Sequence, residues 1–207
     1  MDNNNIIKTV QEIRTIMEKS SRFLSFSGSS TVFIGLFALA GAFFAHKILD
    51  VHTVTGYQQS EDGYRDILLP LAGISAAVFL LSLFTIFFFS WRKAKKMRIV
   101  FFNRITWRTL INFFVPLLTG GVFCIALLVN NHPGLISSVM LLFYGLSLIN
   151  VSKFTYGNIF WLGCLEMVLG LLSAFFPANG LLFWAMGFGL LHILYGVYFY
   201  LRVEKVR

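Results

Sequence analysis

The chain has 207 residues, of which 57% are hydrophobic and 13% charged, with 24 Phe and a mean hydropathy of +0.75. A soluble domain carries about a quarter charged residues, so this chain has too little polar surface to cover a water-soluble globule. Its net charge of +8 would suit nucleic acid in a soluble protein, but no nucleic-acid motif accompanies it. The basic residues flank apolar runs, which assigns them to topology and to anionic lipid headgroups.

Residues 1–24 read as a cytoplasmic amphipathic helix. Ile6, Val10, Ile13 and Met17 recur at spacings of 4, 3 and 4, which places them on one stripe. Asn3, Asn4 and Asn5 offer caps at its start. Two readings are open: a helix lying on the membrane or under the bundle, or a short seam for self-association or for a protein partner.

Residues 25–207 read as a six-transmembrane-helix domain, with spans at about 25–48, 67–90, 110–129, 135–151, 157–176 and 181–201. The first span opens on Ser25, Ser27, Ser29, Ser30 and Thr31 and continues with Gly35, Ala38, Ala42 and Ala45. That is a small-residue face suited to a neighbouring helix. Ala38-Leu39-Ala40 resembles a signal cleavage site, but apolar sequence continues past it and a long charged stretch precedes it, so a spanning helix is expected. A polar loop over 49–66 follows. Pro70 is expected in the first turn of the second span, where its missing N–H costs little.

Residues 91–108 hold seven Lys or Arg, and Trp91 and Trp107 bracket them as interface anchors. Arg92, Lys93, Lys95 and Lys96 form the most basic point of the chain and a patch for anionic headgroups or an acidic partner. Pro116 and Gly120-Gly121 permit a kink in the third span. Asn130-Asn131-His132-Pro133-Gly134 and Pro177-Ala178-Asn179-Gly180 are breakers that end one span and begin the next. With both termini inside, 15 of the 17 Lys and Arg fall on the cytoplasmic side and only Lys47 and Arg65 fall outside. The expected fold is therefore all-α: a six-helix transmembrane bundle of three hairpins, multi-pass in the cell (inner) membrane.

Two ionisable residues stand deep in the predicted spans, Glu166 and His192. Both lie about 17 Å from the last outer turn at 1.5 Å per residue, at matching depth on consecutive helices. Glu166 belongs to a small-residue stripe with Gly163, Gly170 and Ala174, and His192 to one with Ala185, Gly189 and Gly196. These faces are expected to pack on each other and to bring Glu166 against His192, with Tyr144, Asn150 and Tyr195 as candidates for the same network. Such a pair is either a polar fastening that fixes helix register or a proton-sensitive or ligand-binding centre. Cys164 and Glu166 are two residues apart and do not share a helix face, so no metal site is expected. Cys124 and Cys164 sit at different depths, which argues against a disulfide. No GxSxG, HExxH, P-loop or dinucleotide motif is present, and neither an enzymatic activity nor a cofactor is expected.

The stretch Ile13-Arg14-Thr15-Ile16-Met17-Glu18-Lys19-Ser20-Ser21-Arg22-Phe23-Leu24-Ser25, running into a Gly/Ala-rich first span, resembles a family of uncharacterised bacterial six-span membrane proteins. That likeness implies the span count and no activity. The last hairpin, with Leu169-Gly170 before Phe176-Pro177 and a Gly-rich returning helix, is similar to small acid-resistance membrane proteins built from three hairpins. The function expected is a non-enzymatic structural or regulatory, partner-binding role. The alternative is a small transporter or channel, proton-linked through Glu166 and His192.

Overall fold

The computed structural model describes residues 28–54, 61–96, 102, 104–155 and 157–205. The stripe Ile6, Val10, Ile13 and Met17 lies outside the described residues. Every element is helical: α1 Gly28–Val54, α2 Glu61–Lys96, α3 Arg104–Val129, α4 Ile136–Ser152 and α5 Asn158–Phe175. The sixth helix, α6, is assembled from an α-helical start (Gly180–Trp184), a π-helical segment (Ala185–Leu191), an α-helical stretch (His192–Phe199) and a π-helical end (Tyr200–Glu204). Among the described residues six helices are long and apolar enough to cross a membrane.

The helices overrun the apolar segments that announce them. The second span, expected at 67–90, is part of a helix that starts at Glu61 and ends at Lys96. Arg92–Lys96 are thus its last turns rather than a loop, and Pro70 stands inside the helix, not in its first turn. Likewise α1 continues to Val54 and α3 begins at Arg104. The reason is elementary. Hydropathy marks where a helix is oily, whereas Lys, Arg and Glu are good helix formers that prolong it into polar surroundings.

Both predicted breakers lead from one helix into a 3₁₀ turn that starts the next. Asn131 adopts φ 58°, the left-handed conformation that Asn tolerates at a helix end, and the His132 N–H bonds back to the Leu127 carbonyl at 2.8 Å. His132 (φ −116°, ψ 53°) then leads into a 3₁₀ turn, Pro133–Leu135. Phe176 (φ −126°, ψ 64°) leads into a second, Pro177–Asn179. In each case Pro stands first, where its fixed φ suits a helix start and its absent N–H is not missed. The two turns abut through Gly134 and Pro177. They define one end of the bundle, called here the turn end. The opposite, basic end carries Gly28, Lys96, Arg104, Lys153 and Arg202.

The helix α1 packs against α2 and α6, and α4 packs against α3, α5 and the start of α6. Glycine decides how closely. A methyl carbon at Gly35 would fall 2.6 Å from the Gly189 carbonyl oxygen, and one at Gly28 would fall 2.6 Å from that of Gly196. The α4–α5 seam repeats the device: a methyl carbon at Gly145 would fall 2.7 Å from the Gly163 carbonyl, and one at Gly170 would meet Leu142. The expectation that the small faces of the fifth and sixth helices pack on each other is therefore corrected. Gly163 and Gly170 face α4, Gly189 and Gly196 face α1, and Ala174 is exposed. Sequence spacing identified faces able to approach closely but carried no information about which helix would approach.

Two apolar clusters form. Ala38, Ala42 and Trp184, with Met140, Ala185 and Phe188 around them, lie between α1 and α6 toward the turn end. Leu148, Ile159, Leu162 and Phe199 close the space between α4, α5 and α6 toward the basic end. Cys124 and Cys164 are half-buried free thiols.

Candidate site: a buried Glu–His–Tyr cluster

Glu166, His192 and Tyr144 meet between the two apolar clusters, one from each of α5, α6 and α4. Glu166 is 0% and His192 1% exposed. His192 Nδ1 stands 3.3 Å from Glu166 Oε1 and 3.0 Å from the carbonyl oxygen of Gly187. On the far side of the ring, Nε2 is 2.7 Å from the Tyr144 hydroxyl. Phe188 stacks on the imidazole with ring planes 21° apart and packs on Tyr144 at 5.0 Å between centroids.

Proton placement follows from donor chemistry. A carbonyl oxygen only accepts, so Nδ1 carries the hydrogen and donates it to Gly187. In the neutral imidazole Nε2 is then an acceptor, and Tyr144 donates to it. Because the Nδ1 hydrogen is directed at Gly187, neither carboxyl oxygen of Glu166 has a hydrogen-bond partner. One proton can occupy this cluster in two ways without changing its charge. The proton sits on Glu166 with a neutral His192, or it sits on His192 beside an ionised Glu166. In the second state Nε2 becomes a donor and the Tyr144 hydroxyl must turn from donating to accepting. The two states differ in which of Glu166 and His192 holds the proton and in whether the Tyr144 hydroxyl donates or accepts.

Gly187 makes the cluster possible, and the sequence stripes missed it. A methyl carbon there would lie 2.5 Å from Glu166 Oε2 and would strike Leu141. The carboxyl thus rests on bare backbone of α6. The π-helical segment Ala185–Leu191 encloses this position, and π turns are frequent at functional sites. The stripe through Ala185, Gly189, His192 and Gly196 assumed α-helical spacing throughout, so Gly187 fell off its face. The Gly-x-Gly at 187–189 was the available signal.

The other candidates fall elsewhere. Tyr195 packs on Phe199 at 6.0 Å and borders the cluster that closes the basic end. Asn150 is half-buried on α4. At 100° per residue it is turned about 120° from Tyr144, away from the network proposed for it. Arg92, Lys95 and Lys96 are exposed at the end of α2, Lys93 is half-buried, and the Lys95 ammonium lies 5.5 Å over the Trp91 ring. Among the described residues no three His, Cys, Asp or Glu converge as metal ligands would.

Two further buried hydroxyls without hydrogen-bond partners, Ser138 on α4 and Ser173 on α5, had not been singled out. Each is one or two helical turns nearer the turn end than the cluster. Comparison of the chain with protein-family models, curated proteins and solved structures finds no match.

Proposed function

We propose that the chain is a small multi-pass protein of the cytoplasmic membrane, with both termini in the cytoplasm, acting as a non-enzymatic structural or regulatory partner. One observation carries the membrane reading: burial runs opposite to hydropathy. The apolar window of α2 has the highest mean hydropathy, 2.4, yet is 6% buried, whereas that of α6 has 1.7 and is 33% buried. Ser, Thr, Glu and His share the interior with small and aliphatic residues, while many Phe and Leu cover the outside. In water this distribution is unstable; in hydrocarbon it is what polar groups without other partners require. The basic end, with Arg92, Lys95 and Lys96 on α2 and a shallow cleft of Phe102, Arg104, Trp107 and Arg108 on the α3 side, suits anionic headgroups.

The closed surroundings of Glu166 support the structural or regulatory role. Membrane-impermeant labelling of a cysteine at Lys95, in a background lacking Cys124 and Cys164, tests the orientation: protection in intact cells and modification after lysis are expected, and modification in intact cells would reverse it. A partner recovered with the full chain, and lost when Ile6, Val10, Ile13 and Met17 are made polar, tests the role. The second reading, proton-linked transport through Glu166 and His192, is favoured by the carboxyl oxygens that lack hydrogen bonds. Its test is proton or solute flux in proteoliposomes that Glu166→Gln abolishes.

A further inference from the structure

The two sides of the Glu166 cluster are not alike. Toward the basic end, Leu148, Ile159, Leu162 and Phe199 are all 3% exposed or less, and Phe113, Leu191 and Tyr195 pack around them. The four side chains of that plug are apolar, the buried Ser147 beside Leu148 spends its hydroxyl on the Phe143 carbonyl of its own helix at 2.8 Å, and Tyr144 and Tyr195 stand on the rim. Toward the turn end the lining changes. The register of α4 on α5, set by Gly145 against Gly163 and Met167 and by Leu142 against Gly170, extends one more turn to put Ser138 level with Ser173. Their hydroxyls are 2% and 0% exposed by residue, and neither has a hydrogen-bond partner. At the same level Gly180 of α6 lies against Ser137, and one turn further Gly134 meets Pro177. A buried hydroxyl without a partner costs free energy that an apolar residue would avoid. Two of them, together with both carboxyl oxygens, lie on the same side of the basic-end plug.

We propose that Glu166 is a proton-binding site that fills from the turn end of the bundle, past Ser138 and Ser173, and is sealed from the basic end by the Leu148–Ile159–Leu162–Phe199 plug. The inference rests on reading the Glu166 cluster as a site that takes up a proton. Seven residues separate Ser173 from Glu166, about 10 Å along the helix. The hydroxyls therefore hold the outer part of the route and water carries the proton across the rest, each molecule needing polar partners of the kind these side chains supply. Leu141, 0% exposed and in contact with both the Gly187 and the Gly170 positions, is the side chain that closes this stretch and must turn aside.

The titratable groups facing Glu166 are His192 from α6 and Tyr144 from α4. Between Lys153 and Arg202 the chain has no other Asp, Glu, Lys or Arg, and none occurs from Thr109 to Ser152. No other carboxylate or amine competes for the proton within α4, α5 or the membrane-embedded part of α6.

The test is infrared difference spectroscopy on the full chain in proteoliposomes of known orientation, with the pH stepped on one side only. A carboxyl band absent from Glu166→Gln is expected to respond to a step at the turn end and not to one at the basic end. Replacing both serines (S138A with S173A) removes hydroxyls that support no internal hydrogen bond, so the fold is retained and the response slows about tenfold. A band that responds equally from both sides, or only from the basic end, overturns the route while leaving the site standing, as does an unslowed response in the double variant. Absence of any band that depends on Glu166 overturns the site and the route together.

Discussion

The four inner helices and the two flanking ones differ in what their glycines touch. In α1, α4, α5 and α6, Gly28, Gly35, Gly145, Gly163, Gly189 and Gly196 each meet a neighbouring backbone or side chain so closely that an added methyl would have to displace it. In α2 and α3, Gly73 and Gly121 have nothing within 4 Å of where a methyl would stand, and Gly120 of α3, met closely by Phe143 of α4, is the exception. The flanking helices are also the less buried ones, at 6% and 11% of their apolar windows against 33–39% for the rest. The inner helices are thus specified by shape and by a few polar groups, α2 chiefly by hydropathy, and α3 by hydropathy together with the close approach at Gly120. Lipid tails are as apolar as Leu, so oiliness alone gives two helices no reason to associate in a membrane. Close backbone approach and buried polar contacts do.

The sharpest way to break that distinction is to remove a polar contact from the inner group. His192→Ala removes a buried ring and leaves the Glu166 carboxyl and the Tyr144 hydroxyl facing a cavity, a truncation that costs about 2–5 kcal/mol. We expect a corresponding loss in unfolding free energy measured in detergent micelles; a loss under about 1 kcal/mol would mean that the cluster does not hold the bundle. Next come the seams. Gly35→Ala and Gly145→Ala force helices apart against a carbonyl oxygen and should each cost about 1–3 kcal/mol, the range for overpacked cores. Equal losses at the two positions would show that the α1–α6 and α4–α5 seams bear similar loads. Tyr144→Phe deletes only the 2.7 Å bond to Nε2 and should cost about 1–2 kcal/mol. It should also alter the histidine ring signals in nuclear magnetic resonance, because Nε2 loses its donor.

Much of this arrangement was legible in the residues, and the division between what was and what was not is physical. The six apolar helices were readable because long oily runs admit few other structures. The depth match of Glu166 and His192 was readable because helical rise is constant. Helix ends were not, since Arg92–Lys96 prolong a helix as readily as they mark an interface. Helix partners were not either: Gly163 and Gly189 look alike in sequence, yet one faces α4 and the other α1. Gly187 escaped because a π turn breaks the period on which face assignment depends. The orphan hydroxyls of Ser138 and Ser173 escaped because a serine in a span normally bonds its own helix, as Ser147 does to the Phe143 carbonyl at 2.8 Å.

The smallest expected effect is the most direct probe of the flanking helices. In a helix interior Ala is favoured over Gly by about 0.5–1 kcal/mol when nothing opposes the new methyl. Gly73→Ala on α2 and Gly121→Ala on α3 should therefore stabilise the monomeric bundle slightly, in contrast to every seam glycine. The sign matters more than the size. If either variant instead loses stability, something packs against that face, and the dependence of the loss on protein concentration identifies what. A loss that fades on dilution in detergent assigns the face to a second copy of the chain. A loss independent of dilution assigns it to contacts within one chain.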